Sequence, residues 1–161
     1  MTNRDYLIRI FVIILAFTFP FICLSYGETR ESISSYFNSS LQPIYIISNT
    51  LTAYLLYSLD KWKCPAIFLL FLVAFPLEGY KIVHNIFAYG FFFSCFAPIF
   101  KHNRLKLYSI PYLLSLIFLM DSFLWTEIVC ILTLCIFHGH LLYLKYSVDT
   151  KRKVQSNEVI N

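Results

Sequence analysis

The sequence predicts an all-α, polytopic membrane bundle of about six transmembrane helices with both termini in the cytoplasm. Three observations predict it. Of the 161 residues, 58% are hydrophobic and 19% aromatic; the apolar residues fall in runs long enough to cross a bilayer; and the basic residues sit in short clusters between those runs. An ordinary soluble domain is about half apolar, and a water-soluble fold of this size has no interior large enough for the excess, which must therefore face lipid. The net charge of +4 is spread over those clusters and forms no continuous basic stripe. It therefore reads as a topology signal, and nucleic acid is not an expected partner.

A hydrocarbon core about 30 Å thick takes roughly 17–25 helical residues at about 1.5 Å each. Six stretches approach that length: 7–24, 43–59, 62–77, 83–100, 105–120 and 122–146. The third and fifth are the shortest. The 42 residues from Leu105 to Tyr146 are broken only at Asp121-Ser122; one helix of that length would reach about 63 Å, so two crossings folded into a hairpin at Asp121 are expected. Residues 1–146 form the bundle, and the polar tail 147–161 is expected to be disordered. Arg4 and Arg9 before the apolar run 10–24, and Ser25-Tyr26-Gly27 after it, have the form of a signal peptide. The length of this Phe-rich run, with no soluble domain behind it, favours a retained span.

Orientation follows from charges that played no part in the length argument. With the N-terminus inside, the cytoplasmic segments hold Arg4, Arg9, Lys61, Lys63, Lys101, Arg104, Lys106, Lys145, Lys151, Arg152 and Lys153, and the external ones only Arg30 and Lys81. That segregation requires an even number of spans. The five cysteines (Cys23, Cys64, Cys95, Cys130, Cys135) include no CxxC pair and are expected to be buried free thiols.

An ionisable side chain within a membrane needs a partner or water, so each one is a candidate for function. Glu127 lies about one and a half turns into the last span and must be protonated or face the bundle interior beside a donor. His84 opens the fourth span on the same external side, and the external loop contributes Ser32, Ser34 and Tyr36. With Asp121, these residues share one side of the membrane under a topology derived without them, which points to a polar pocket open to the outside. His138, eleven residues after Glu127, shares its helix face about 16 Å away, and His140 points nearly opposite. Both histidines are expected at the cytoplasmic boundary. No HExxH, GxSxG, phosphate-loop or zinc-finger pattern occurs, and neither metal nor cofactor is expected.

Several short pieces, in order, carry a resemblance: Ser32-Ile33-Ser34-Ser35-Tyr36, Ala74-Phe75-Pro76, His84-Asn85-Ile86-Phe87-Ala88 with Phe91-Phe92, the basic turn 101–106, and Trp125-Thr126-Glu127. Over residues 31–146 the chain resembles small bacterial six-span membrane proteins of unknown function. These are distantly similar to the superfamily of progestin/adiponectin receptors and alkaline ceramidases and to DRAM-like proteins. In the hydrolases of that superfamily a serine, an aspartate and three histidines hold a zinc ion that activates water. Here only His84 lies on the required side, with His102, His138 and His140 on the other, so the resemblance does not carry the zinc site across.

The expected function is that of a non-enzymatic integral membrane protein. Its external pocket of Ser32, Ser34, Tyr36, His84 and Glu127 would take a lipid headgroup, a small molecule or a protein partner. One alternative is a membrane-embedded lipid hydrolase, with Glu127 as general base or metal ligand, His84 as ligand or acid, and Ser32 or Ser34 orienting substrate. The other is a small accessory or immunity-type protein acting through its lipid-facing helices. Membrane lipid is the expected partner, with a protein partner or a second copy of the chain left open, and the expected location is the bacterial inner (plasma) membrane.

Overall fold

A computed structural model describes residues 2–25, 30–117 and 123–158. Among them are six α-helices and no strand: α1 (Asn3–Ser25), α2 (Gln42–Tyr57), α3 (Lys63–Ala74), α4 (Leu77–Phe100), α5 (Ser109–Ile117) and α6 (Phe123–Glu158). Each helix packs on its neighbour in the chain, and α6 returns to α1, which closes the helices into a ring. The Asp121 hairpin and positions 26 and 27 of the predicted cleavage pattern lie outside the described residues.

Three helices, α1, α4 and α6, are long and apolar enough to cross a membrane, as an integral membrane protein requires. The expectation of six spans is met in full only by these three. At 16 and 12 residues, α2 and α3 reach about 24 and 18 Å, short of a hydrocarbon core of about 30 Å. The predicted third span, 62–77, is cut at both ends. A 3₁₀ turn occupies Asp60–Trp62; Pro76, which disfavours helical geometry in the residue before it, stops α3 at Ala74. At its other extreme α6 continues to Glu158, past the expected end of the last span at Tyr146 and through most of the segment expected to be a disordered tail.

Local chemistry fixes the ends. Thr2 and Asp5 exchange reciprocal bonds at the start of α1, each backbone N–H donating to the other's side chain at 3.1 Å. Pro43 occupies the first turn of α2, where its missing N–H costs nothing. The start of α4 is kinked at Glu78–Tyr80, where the chain turns through Gly79 at φ 89°, a left-handed conformation that any other residue would adopt under strain.

The outward faces are apolar. Leu7, Phe11, Ile14 and Phe21 are exposed along α1, Ile82, Ile86 and Phe93 along α4, and Trp125, Val129 and Ile136 along α6. A soluble monomer rarely exposes contiguous apolar surface beyond a few hundred Å²; lipid removes that constraint. The interior holds two clusters of buried residues. The larger contains Trp62, Phe91, Phe92, Cys95, Tyr112 and Phe137; the smaller, around Phe19, Ile33, Tyr36, Tyr45 and Ile128, lies at the opposite end of the bundle. Cys23, Cys95, Cys130 and Cys135 are buried free thiols as expected, but Cys64 is exposed at the start of α3.

Helices α3 and α4 approach closely at Gly90, where a Cβ would stand 2.5 Å from the Phe68 ring. Small residues permit such contacts between membrane helices. Gly90→Ala should therefore destabilise the bundle by about 1–3 kcal/mol through overpacking. The same substitution in a Phe68→Ala background should cost much less, a coupling that unfolding of the single and double variants would measure.

Candidate functional site

The loop between α1 and α2 folds onto the bundle as a 3₁₀ helix over Ile33–Asn38. Ser32 caps it: the Ser32 hydroxyl accepts from the Ser35 backbone N–H at 3.2 Å, and the Ser35 hydroxyl donates to the Ser32 carbonyl at 2.6 Å. The turn packs on α1, α2 and α4, burying Ile33, Ser34 and Tyr36. Arg30 lies over the Tyr36 ring, 5.8 Å from its centre, and donates to the Ser35 carbonyl at 3.1 Å. The longest-range bond of the loop is to α6. The backbone N–H of Ile33 donates to Oε2 of Glu127 at 2.6 Å, and both groups are buried. Glu127 thus faces inward beside a donor, one of the two placements its position in the sequence allows.

Glu127 and Ser34 line a cavity of about 50 Å³ together with Tyr45 and Asn49 of α2 and the apolar Ile33, Leu69, Phe91 and Ile131. The Ser34 hydroxyl lies beside that of Tyr45, and the Asn49 amide donates to the Tyr45 carbonyl at 2.9 Å. A second cavity, of about 70 Å³, shares Ile33, Asn49, Leu69, Phe91 and Ile131 with the first and extends past Thr52 to Trp62 and His138. The two cavities adjoin at these shared residues and together make up a chamber, with polar groups towards either end and largely apolar walls.

Ser32, Tyr36 and His84 line neither cavity. Ser32 is the cap of the loop, and Tyr36 is packed in the smaller apolar cluster. His84 is 2% exposed, and its Nδ1 is 2.7 Å from the Phe75 carbonyl oxygen at the end of α3. Because a carbonyl only accepts, Nδ1 carries the hydrogen and His84 closes the turn between α3 and α4. Of the five predicted site residues, Ser34 and Glu127 come together at one cavity, whereas Ser32 and Tyr36 belong to the 3₁₀ turn and its cap and His84 to the junction of α3 and α4.

At the other end, His138 is 1% exposed and buried inside the bundle. Its Nδ1 is 2.7 Å from Nη1 of Arg9; a guanidinium only donates, so Nδ1 is the acceptor. Trp62 packs on the imidazole at 4.6 Å between ring centres. His140 turns outward and meets the Tyr108 hydroxyl at 3.0 Å, and the His102 ring stands edge-on to Phe137. The three histidines expected on one side do gather at one end. Among the described residues, no group of three His, Cys, Asp or Glu side chains is placed to hold a metal ion.

Sequence reasoning passed over the α2 contribution. Tyr45, Ser48, Asn49 and Thr52 recur at helical spacing, and all face the chamber. A polar stripe inside an apolar run was the signal for it. Arg9 was likewise counted only as a topology charge, although an arginine within a first span calls for a partner.

His102, in the loop between α4 and α5, has its pKa held below the ordinary histidine range by burial, assisted by the positive charges of Lys61, Arg9 and Arg104. The unfolded chain takes up this proton near pH 6.5, before the folded one does. This contribution to stability is therefore complete above that pH and is lost as pH falls below it. His102→Asn should flatten the acid side of the stability profile, which denaturant titrations between pH 7.5 and about 5 would detect.

Among the described residues the fold is all-helical, with three helices long and apolar enough to cross a membrane and cavities in its interior. No protein-family model, no curated protein and no solved structure matches the chain.

Proposed function

We propose that this is a multi-pass, non-enzymatic protein of the bacterial inner membrane that holds a small, mostly apolar ligand in a chamber roofed by the Ile33–Asn38 turn. In this reading the six apolar runs of the sequence, which extend beyond the helical ends of α2, α3 and α5, each cross the bilayer and both termini are cytoplasmic. Supporting that topology, Arg9, Lys61, Lys101, Arg104 and Lys145 gather at the His138 end, while Arg30 lies at the Glu127 end, as the bias of basic residues towards the cytoplasm requires.

The observation that carries the ligand reading is the bond from Ile33 to Glu127, which fastens an external loop over a cavity bearing a carboxyl, hydroxyls and an amide. Size narrows the ligand. Cavities of about 50 and 70 Å³ are smaller than an apolar cavity of about 150 Å³ that accepts benzene. A phospholipid headgroup does not fit, so the occupant is a molecule of few heavy atoms or the end of a single chain. The alternative of a hydrolase acting through Glu127 and His84 draws less support, since the His84 Nδ1–H is engaged by Phe75 and the ring lines neither cavity.

Native mass spectrometry of the protein released gently from its membrane tests this. One small bound molecule per chain is expected, lost in Ile131→Trp, which fills the junction of the two cavities. A wild-type chain carrying no adduct, or an adduct unaffected by Ile131→Trp in a folded variant, would contradict the proposal.

A further inference from the structure

The end of the bundle away from Glu127 carries a second concave feature, separate from the chamber. A groove of about 600 Å³ lies between Lys61, the turn Lys101–Arg104, and the α6 stretch that contains Leu141, Leu144, Lys145, Val148 and Asp149. Four cations from three separate parts of the chain face it, against one carboxylate. Lys145 is engaged, donating to the Asn3 side chain at 2.7 Å and lying over the Tyr6 ring. The one salt bridge found among the described residues, Lys63 to Asp60, is outside the groove. At its floor Nδ1 of His102 is buried without a hydrogen-bond partner. One wall, made by Leu141, Leu144 and Val148, is apolar.

Cations left without carboxylates in a concavity form a site for an anion with several oxygens. The apolar wall decides which anion. Lys101 follows directly on α4, and the wall belongs to α6; both helices are long and apolar enough to cross a membrane. A group bound between them therefore sits where acyl chains reach headgroups. We propose that this groove binds the phosphate of an anionic phospholipid, with its glycerol and upper chains against Leu141, Leu144 and Val148. Lys61, Lys101 and Arg104 meet the phosphate oxygens, and the imidazole of His102 supplies a further polar contact. The site rests on α4 and α6 crossing the membrane and not on a ligand in the chamber, so either can fail alone.

The test uses the full chain in neutral detergent with three probes: dioleoylphosphatidylglycerol, dioleoylphosphatidylcholine and inorganic phosphate. Native mass spectrometry should show one phosphatidylglycerol bound about tenfold or more tightly than phosphatidylcholine, with a preference that shrinks as salt rises. Lys101→Gln/Arg104→Gln should remove that preference. Lys63→Gln/Lys106→Gln, which removes the same charge outside the groove, should keep it. All four positions are exposed, so helical content should be unchanged; if the groove pair misfolds, Lys61→Gln alone must weaken the lipid. Equal loss in both pairs would reduce the effect to general charge and overturn the site. So would absence of a phosphatidylglycerol preference, and displacement of the lipid by millimolar inorganic phosphate would assign the groove to the free anion.

Discussion

Replacing His138 by alanine lowers the stability of the bundle by about 3 kcal/mol or more, the largest loss expected from a single change in this chain. Two costs add. The imidazole is fully buried against Trp62 and Phe137, so truncation leaves a cavity that the surrounding packing closes only in part. It also removes the acceptor of the Arg9 guanidinium, whose Nε is already buried without a partner; a second unpaired donor is then stranded inside the bundle. His138→Asn keeps an acceptor near the position of Nδ1 and should recover part of the loss. Unfolding by sodium dodecyl sulfate, followed by helical circular dichroism, measures both variants. Arg9→Leu should reduce the cost of His138→Ala, because the stranded donor is then absent; additive effects would show that the bond is energetically idle.

Glu127→Ala is expected to cost about 1–3 kcal/mol by orphaning the buried Ile33 N–H, with an effect concentrated in the loop between α1 and α2. Loss of this bond releases the Ile33–Asn38 turn from α6 while its contacts with α1 and α2 persist. Hydrogen exchange in residues 31–41 should then accelerate well beyond any change in α4 or α5. Glu127→Gln keeps a side-chain carbonyl that can accept from Ile33, so its exchange should stay near wild type. If the glutamine variant exchanged as fast as the alanine variant, the charge of Glu127 and not its role as acceptor would hold the loop.

The six helices were legible as six apolar runs because a bilayer rewards long uninterrupted apolar segments and the loops carry the charges. Which of them are long enough to cross was not. Trp62–Leu77 reads as one run by composition, yet a 3₁₀ turn and Pro76 leave only Lys63–Ala74 helical, a loss decided by backbone geometry. Glu127 could be singled out because a carboxyl in an apolar run is costly without a partner. Its partner could not, since a backbone N–H 94 residues away leaves no mark on residue identity. His84 shows the converse limit. A histidine beside an external loop suggests a site, but its bond to Phe75 depends on how α3 ends. The stripe Tyr45-Ser48-Asn49-Thr52 was visible in principle, masked by an apolar average over the whole run.

In the proposed topology the Glu127 and His138 ends face opposite sides of a membrane, with the basic end in the cytoplasm. Cysteine labelling tests it most directly. Cys64 is the one exposed native thiol, so Cys64→Ser provides the background for Asn38→Cys at the end of the roofing turn and Asn103→Cys in the basic turn, both exposed positions. In intact cells a membrane-impermeant maleimide should label the position-38 thiol and leave the position-103 thiol untouched until the membrane is permeabilised. Labelling of both from outside, or of position 103 alone, would contradict the account.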